Sequence, residues 1–181
     1  MTSITLHAGH NPKGKIACGA SDYLDESTEA RWLVKKISAL LKKKKIKVYN
    51  CTVNNGTSQK DVLSKIVAKC NAKNRDYDVS IHFNASNHSE TDGKTKGVEC
   101  HVYNLNTVTS LAARSICDNV AKLGFTNRGV KESKGLYFLH HTSEPAILIE
   151  VCFVDDEDDA KLYKKYKNQI AAAIADAIAK W

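Results

Sequence analysis

The chain has 181 residues, 43% of them hydrophobic, and a formal net charge of +7 at pH 7. That size buries one continuous core without disulfides or a structural metal, so a single domain over residues 1–181 is expected. Its longest apolar stretches, AILIEVCFV and IAAAIADAIA, each contain an acid and fall far short of the roughly 20 residues of a membrane span.

The positive charge implies attraction to a polyanion: nucleic acid, an anionic membrane surface or an anionic wall polymer. Aromatic residues are only 7% of the chain and no RRM, helix-turn-helix or zinc-finger pattern is visible, which argues against nucleic acid. The start, MTSITLHAGH, has neither a basic n-region nor an apolar h-region, so synthesis in the cytoplasm without a signal peptide is expected. Six cysteines stand singly with no C-x-x-C and read as reduced thiols, most of them buried.

In chain order, Ile4 to His7 predicts a short first strand. From Glu26, the residues Ala30, Leu33, Val34, Ile37, Leu40 and Leu41 recur at helical spacing and make one apolar stripe. KKKK at Lys42 to Lys45 closes that helix, where cations complement the dipole. Lys47 to Thr52 reads as a second strand. Ser58, with Asp61 three residues on, caps a helix carrying Val62, Ile66, Val67 and Cys70.

The stretch from Asp76 to Phe83 is a third strand, followed by a polar loop from Asn87 to Gly97 and a strand from Val98 to Tyr103. A helix from about Thr107 to Leu123 stops at Gly124. Leu136 to Leu139 reads as a short strand and Ala146 to Val154 as a longer one, entered after Pro145. A last helix aligns Ile170, Ala173, Ile174, Ala177, Ile178 and Trp181. This alternation predicts an α/β fold: a central, twisted, mostly parallel sheet of about six strands flanked by helices on both faces.

In open α/β sheets, sites form beyond the carboxyl ends of strands, and three polar residues stand there: His10, His82 and Glu150. Alternation puts Ser80, His82 and Asn84 on one face and Val79, Ile81 and Phe83 on the other. By the same rule Leu148, Glu150 and Cys152 share a face. A glutamate inside ILIEVCF is either ion-paired with a lysine or used for chemistry. His82 reads as a satisfied core histidine or as a ligand, and His10 as an exposed loop residue or as one. Cys152, beside Glu150 and with histidines available, allows a cysteine-nucleophile hydrolase. A non-enzymatic polyanion-binding domain is the remaining alternative.

Several blocks then occur together. LHAGHNP, LDESTEARWLVKKISALLKKKKIKV, SIHFNAS, KGVE, NRGVK and EPAILIEVCFVDDEDDAKL stand in that order across nearly the whole chain. In that order they resemble the zinc-dependent N-acetylmuramoyl-L-alanine amidases of the type-3 class, in particular the catalytic domains of clostridial phage and prophage endolysins. The resemblance implies one zinc ion bound by His10, Glu26 and His82, with Glu29 competing for the ligand role, and Glu150 as the catalytic carboxylate. It implies a peptidoglycan substrate, cut at the amide between N-acetylmuramic acid and L-alanine, with Asn84, Arg128 and His140 as candidate substrate contacts. Of His140 and His141, adjacent in an extended segment, only one would point inward. The resemblance further implies action on the cell wall after release and a wall-binding domain, if any, outside this chain; on that reading the +7 charge would draw the protein to anionic wall polymers. His7, Asn11, Pro12, Ile66, Cys152 and the segment YNCT depart from the family pattern without touching an implied ligand.

Overall fold

A computed structural model describes residues 2–86, 89 and 91–181. Its elements run β1 (Ser3–Ala8), α1 (Glu26–Lys43), β2 (Lys47–Asn50), α2 (Gln59–Asn71), β3 (Tyr77–Asn84), β4 (Val98–Val102), α3 (Val108–Ala121), β5 (Asn127–Glu132), α4 (Tyr137–His141), β6 (Ala146–Phe153) and α5 (Glu157–Ile178). The six strands form one sheet in the order β2-β1-β3-β6-β4-β5. All neighbours are parallel except β4 and β6, so β4 and β5 run against the other four. The expected α/β architecture is therefore present, with one internal reversal.

Strand alternation sorts the side chains into two layers. Ile4, Leu6, Val79, Ile81, Phe83, Cys100, Ile147 and Ile149 point to one face and are covered by the apolar stripes of α1, α3 and α5. Ala146 and Leu148 point to the other, where α2 and α4 cover them with Val62, Ile66, Cys70, Phe138 and Leu139. Each fully buried aliphatic side chain of this kind contributes about 1.5–3 kcal/mol. Helix starts follow the capping chemistry: Thr28 N–H donates to Asp25 at 2.9 Å, and Asp61 N–H donates to Ser58 at 3.1 Å.

Three expectations are corrected. Leu136 to Leu139 is not a strand: Tyr137–His141 is the short helix α4, with His140 N–H donating to Leu136 O at 3.0 Å. Phe138 and Leu139 are adjacent and both enter the second core, which successive strand positions cannot do. NRGVK, given no element from its sequence, is the edge strand β5. Its charges and Gly129 disguise it, and both are normal on a sheet edge.

The third correction concerns Cys152. Between β3 and β6 the register steps from His82↔Glu150 to Asn84↔Phe153, so Val151 and Cys152 together oppose Phe83. This bulge breaks the alternation and turns both residues into the main core, where Cys152 is fully buried. Cys152 does not share the face of Leu148. The loop read between Asn87 and Gly97 falls partly on residues 87, 88 and 90, which lie outside the described residues.

Candidate metal centre

The site is built from three chain segments that meet at the carboxyl ends of β1 and β3. His10 follows β1 through Gly9, Glu26 is the first residue of α1, and His82 is the sixth residue of β3. His10, Glu26 and His82 each offer a ligand atom within 4.8 Å of the others. They form a candidate metal-binding set of two imidazoles and one carboxylate, a composition that would leave a fourth position for water or substrate.

Glu26 is nearly buried, and three nitrogens crowd one of its oxygens. His10 Nε2 lies 3.3 Å and His82 Nδ1 3.0 Å from Oε1, and Phe83 N–H donates to the same atom at 3.1 Å. Oε2 accepts from Ala20 N–H at 2.9 Å. Although burial alone raises the pKa of Glu26, the hydrogen bonds and charges of His10 and His82 hold it well below the usual carboxylate range. Two rings and an amide crowded on one buried oxygen suit a divalent cation, which takes the lone pairs of rings and carboxylate at once.

Glycines make the room. A Cβ on Gly9 would lie 1.8 Å from the His82 ring, and one on Gly19 would lie 2.3 Å from Glu26 Oε2 and 2.9 Å from His10. Gly19 also has φ +81°, a conformation that suits glycine. The His10 loop is tied down by Arg31, whose Nη2 donates to His10 O at 2.6 Å and to Val53 O at 2.9 Å, while Nη1 donates to Ser27 O at 3.0 Å. Asn11, wholly buried, donates to Ile16 O and Gly56 O at 2.7 and 2.8 Å.

Glu29, the rival ligand, points elsewhere. It accepts from Tyr163 Oη at 2.8 Å and pairs with Lys167 at 3.6 Å. Three residues, about 300° of helix rotation, separate it from Glu26, and of the two only Glu26 reaches the histidines.

Glu150 lies directly across from His82 in the β3–β6 register and from Glu99 in the β6–β4 register. Its Oε2 is buried without a hydrogen-bond partner among the described residues. Burial, then the charges of Glu26 and Glu99, push its pKa up to about 8. A carboxyl group that no lysine among the described residues pairs with, set across the sheet from a candidate metal ligand, is available for proton transfer.

The comparisons with known proteins bear directly on this arrangement. A family model described as N-acetylmuramoyl-L-alanine amidase matches residues 4–180. The chain belongs to that family. This amidase-family chain is 34% identical over 180 residues to an uncharacterised protein of Clostridium perfringens, covering 97% of this chain and 51% of that one. It is 31% identical over 188 residues to the endolysin of Bacillus phage SPP1, covering 97% and 64%. The catalytic domain of the CD27L endolysin, which targets Clostridia difficile, superposes with a TM-score of 0.88 at 26% identity over 99% of this chain and 98% of that one. The chain thus spans about half the length of the first Clostridium perfringens relatives it matches.

The remaining residues singled out from the amidase's sequence fall in different places. Asn84 Nδ2 donates to Glu99 Oε1 at 3.0 Å, next to Glu150. Arg128 Nε donates to Glu99 Oε2 at 2.6 Å, and its guanidinium lies 4.9 Å over the Phe153 ring. His140 is not brought to the centre. It lines a cavity of about 460 Å³ with Tyr103, Pro145 and Ala146, and Ala146 is four residues before Glu150, roughly 13 Å along the strand. His140 and His141 lie on a helix, not an extended segment, and their rings touch at 4.7 Å.

Sequence reasoning gave no role to Glu99. It is a nearly buried carboxylate that also accepts from His101 Nε2 at 3.2 Å and from Lys131 Nζ at 2.5 Å. After the cost of burial, His101, Lys131 and Arg128 hold its pKa below the usual range. The signal available was its alternation within GVECHV, which puts Glu99 and His101 on one face. Cys152, by contrast, is sealed in the core, and burial followed by nearby carboxylates raises its thiol pKa well above the ordinary value. A buried, protonated thiol facing away from the metal-binding set is not a nucleophile for this site.

Proposed function

We propose that this protein is a peptidoglycan hydrolase that cuts the amide between the lactyl group of N-acetylmuramic acid and L-alanine of the stem peptide. The observation that carries the reading is the convergence of His10, Glu26 and His82 within 4.8 Å, with Glu150 directly across the sheet from His82. Family membership supplies the bond. The donor set favours zinc, and the fit with Gly9 and Gly19 supports a resident ion.

Zinc held by His10, Glu26 and His82 would polarise the scissile carbonyl and bring the pKa of its water to roughly 7. Glu150 takes the proton of the attacking water and returns it to the departing amine, which requires hydrogen-bond reach to both. Its burial beside the charges of Glu26 and Glu99 suits it to carry a proton near neutral pH. Glu26 remains ionised as a ligand, and Arg31 keeps the His10 loop in place.

The deciding experiment is mass analysis of muropeptides released from purified walls by the zinc-loaded protein and by Glu150→Gln. A new L-alanine amino terminus that is absent with the variant supports both bond and residue; release of reducing sugar ends instead would sink the reading.

The net charge of +7 supports a further attraction to anionic wall polymers. Wall binding should then weaken as salt rises from 50 to several hundred millimolar, on the order of a Debye length falling from over 10 Å toward a few ångströms. The likeness to endolysins supports cytoplasmic synthesis and action on the wall after release. Fractionation of producing cells should find the protein inside until lysis.

A further inference from the structure

The row that starts at His82 does not end at Glu150. His82, Glu150 and Glu99 are register partners across β3, β6 and β4, so their side chains stand on one face of the sheet, about 5 Å apart from strand to strand. Beyond Glu99 stands β5, which adds Arg128 and Lys131, both bonded to the same atom, Glu99 Oε2, at 2.6 and 2.5 Å. Two cations therefore share one carboxylate oxygen.

That sharing leaves one positive charge of the cluster unmatched. Glu99 is 4% exposed at its side chain, whereas Lys131 is 43% and Arg128 35% exposed, so the carboxylate is a buried anchor and the cations are its outer surface. Asp159, which also feels the charge of Arg128, is buried and already accepts from the N–H groups of Gly97 and Phe153. Arg128 is further pinned over the Phe153 ring at 4.9 Å. Lys131 is the more exposed partner, with three donors of which Glu99 takes one. α3 covers β4 and β5 from the opposite face through Ala112, Ala113, Ile116 and Val120, so the cations look out over the side where Glu150 and the metal-binding set lie.

We propose that Lys131, with Arg128 and on the anchor of Glu99, binds the α-carboxylate of the second stem-peptide residue and so sets specificity for walls in which that group is free. The inference rests on the amidase reading above. Of the two halves of the substrate joined at the scissile amide, the glycan is uncharged and the peptide carries carboxylates. Charge complementarity therefore lays the peptide toward β4 and β5 and the glycan toward β1. The spacing is compatible: two strand steps, roughly 10 Å, separate β6 from β5, against about 7 Å for two extended residues, a difference within the reach of a lysine side chain. An amide at the same position would present a donor to a donor and lose the pairing.

The test measures kcat/KM of the zinc-loaded protein on two muropeptides that differ only in the second residue, with its α-carboxylate free or amidated. The wild-type protein should favour the free acid by about tenfold, Lys131→Met should bring the ratio close to one, and Lys131→Arg should keep it. Lys134→Met, which alters an exposed lysine paired only with Glu132, is the control and should keep the wild-type ratio. A wild-type ratio near one, or a Lys131→Met ratio unchanged from wild type, overturns the proposal, and the first of these needs no variant to fold. Failure of the amidase reading looks different: neither muropeptide is cut by the folded, zinc-loaded wild type.

Discussion

His82 and Glu150 are paired in register on neighbouring parallel strands, so a candidate metal ligand and an unneutralised carboxyl group stand one strand spacing apart. Each is fixed by sheet hydrogen bonding, not by a loop. Rigid strands hold such a pair more closely than loops do.

Replacing Glu150 with glutamine should cut turnover by about 10²- to 10⁴-fold, the usual worth of a positioned general base, with zinc content unchanged. Steady-state release of amino termini and metal analysis of the same sample check both halves.

The same residue gives a pH signature in the metal-free protein. Its folded pKa of about 8 lies above the ordinary glutamate value of 4.5, so the folded state holds the proton more tightly. The stabilisation is complete below the unfolded pKa and is lost as pH rises toward 8. By pH 7 the loss is roughly 3 kcal/mol at 1.36 kcal/mol per pH unit. Urea unfolding of the apoprotein should show this decline between pH 5 and 8, and Glu150→Gln should flatten it. Zinc, adding positive charge nearby, should flatten it as well.

Gly9→Ala and Gly19→Ala should each weaken zinc binding by tenfold or more, because the new methyl occupies space taken by the His82 ring or the Glu26 carboxylate. Gly14→Ala is the comparison. Its φ is +78° but nothing lies within 4 Å of the added Cβ, so it should cost about 1–2 kcal/mol of stability and leave zinc affinity alone. Competition with a fluorescent chelator distinguishes the three.

Arg31→Met should raise the zinc dissociation constant by about tenfold, since the carbonyls of His10 and Val53 lose their donor and the ligand loop is released. Lysine at this position cannot reproduce the fork and should recover only part of the affinity. If zinc affinity stays unchanged while stability falls, Arg31 serves the fold alone.

Thiol alkylation of the folded Cys18→Ser protein, which lacks the one half-exposed thiol, should leave activity intact, because Cys152 is fully buried and turned from the face of Glu150. A chelator should abolish activity, and added zinc should restore it. Inactivation by the alkylator, prevented by substrate, would contradict the burial of this residue.

Much was legible in the sequence because it is written in neighbouring residues. The apolar stripe after Glu26, the caps Asp25 and Ser58, and the alternation of Val79, Ile81 and Phe83 are local patterns, and each formed the element it implies. The order of motif blocks likewise named the family and the three residues that converge. What tertiary structure decided was non-local. Glu26 rather than Glu29 meets the histidines because α1 enters at one particular rotation against β1 and β3. Cys152 left the face of Glu150 because of a bulge that exists only where β3 pairs β6. Glu99 joined the row because β4 runs antiparallel beside β6, and β5 was hidden because its charged residues need no apolar partner at the edge. Period and capping are energies within a few residues of chain; register, rotation and reversal are fixed only when distant strands share hydrogen bonds and a core.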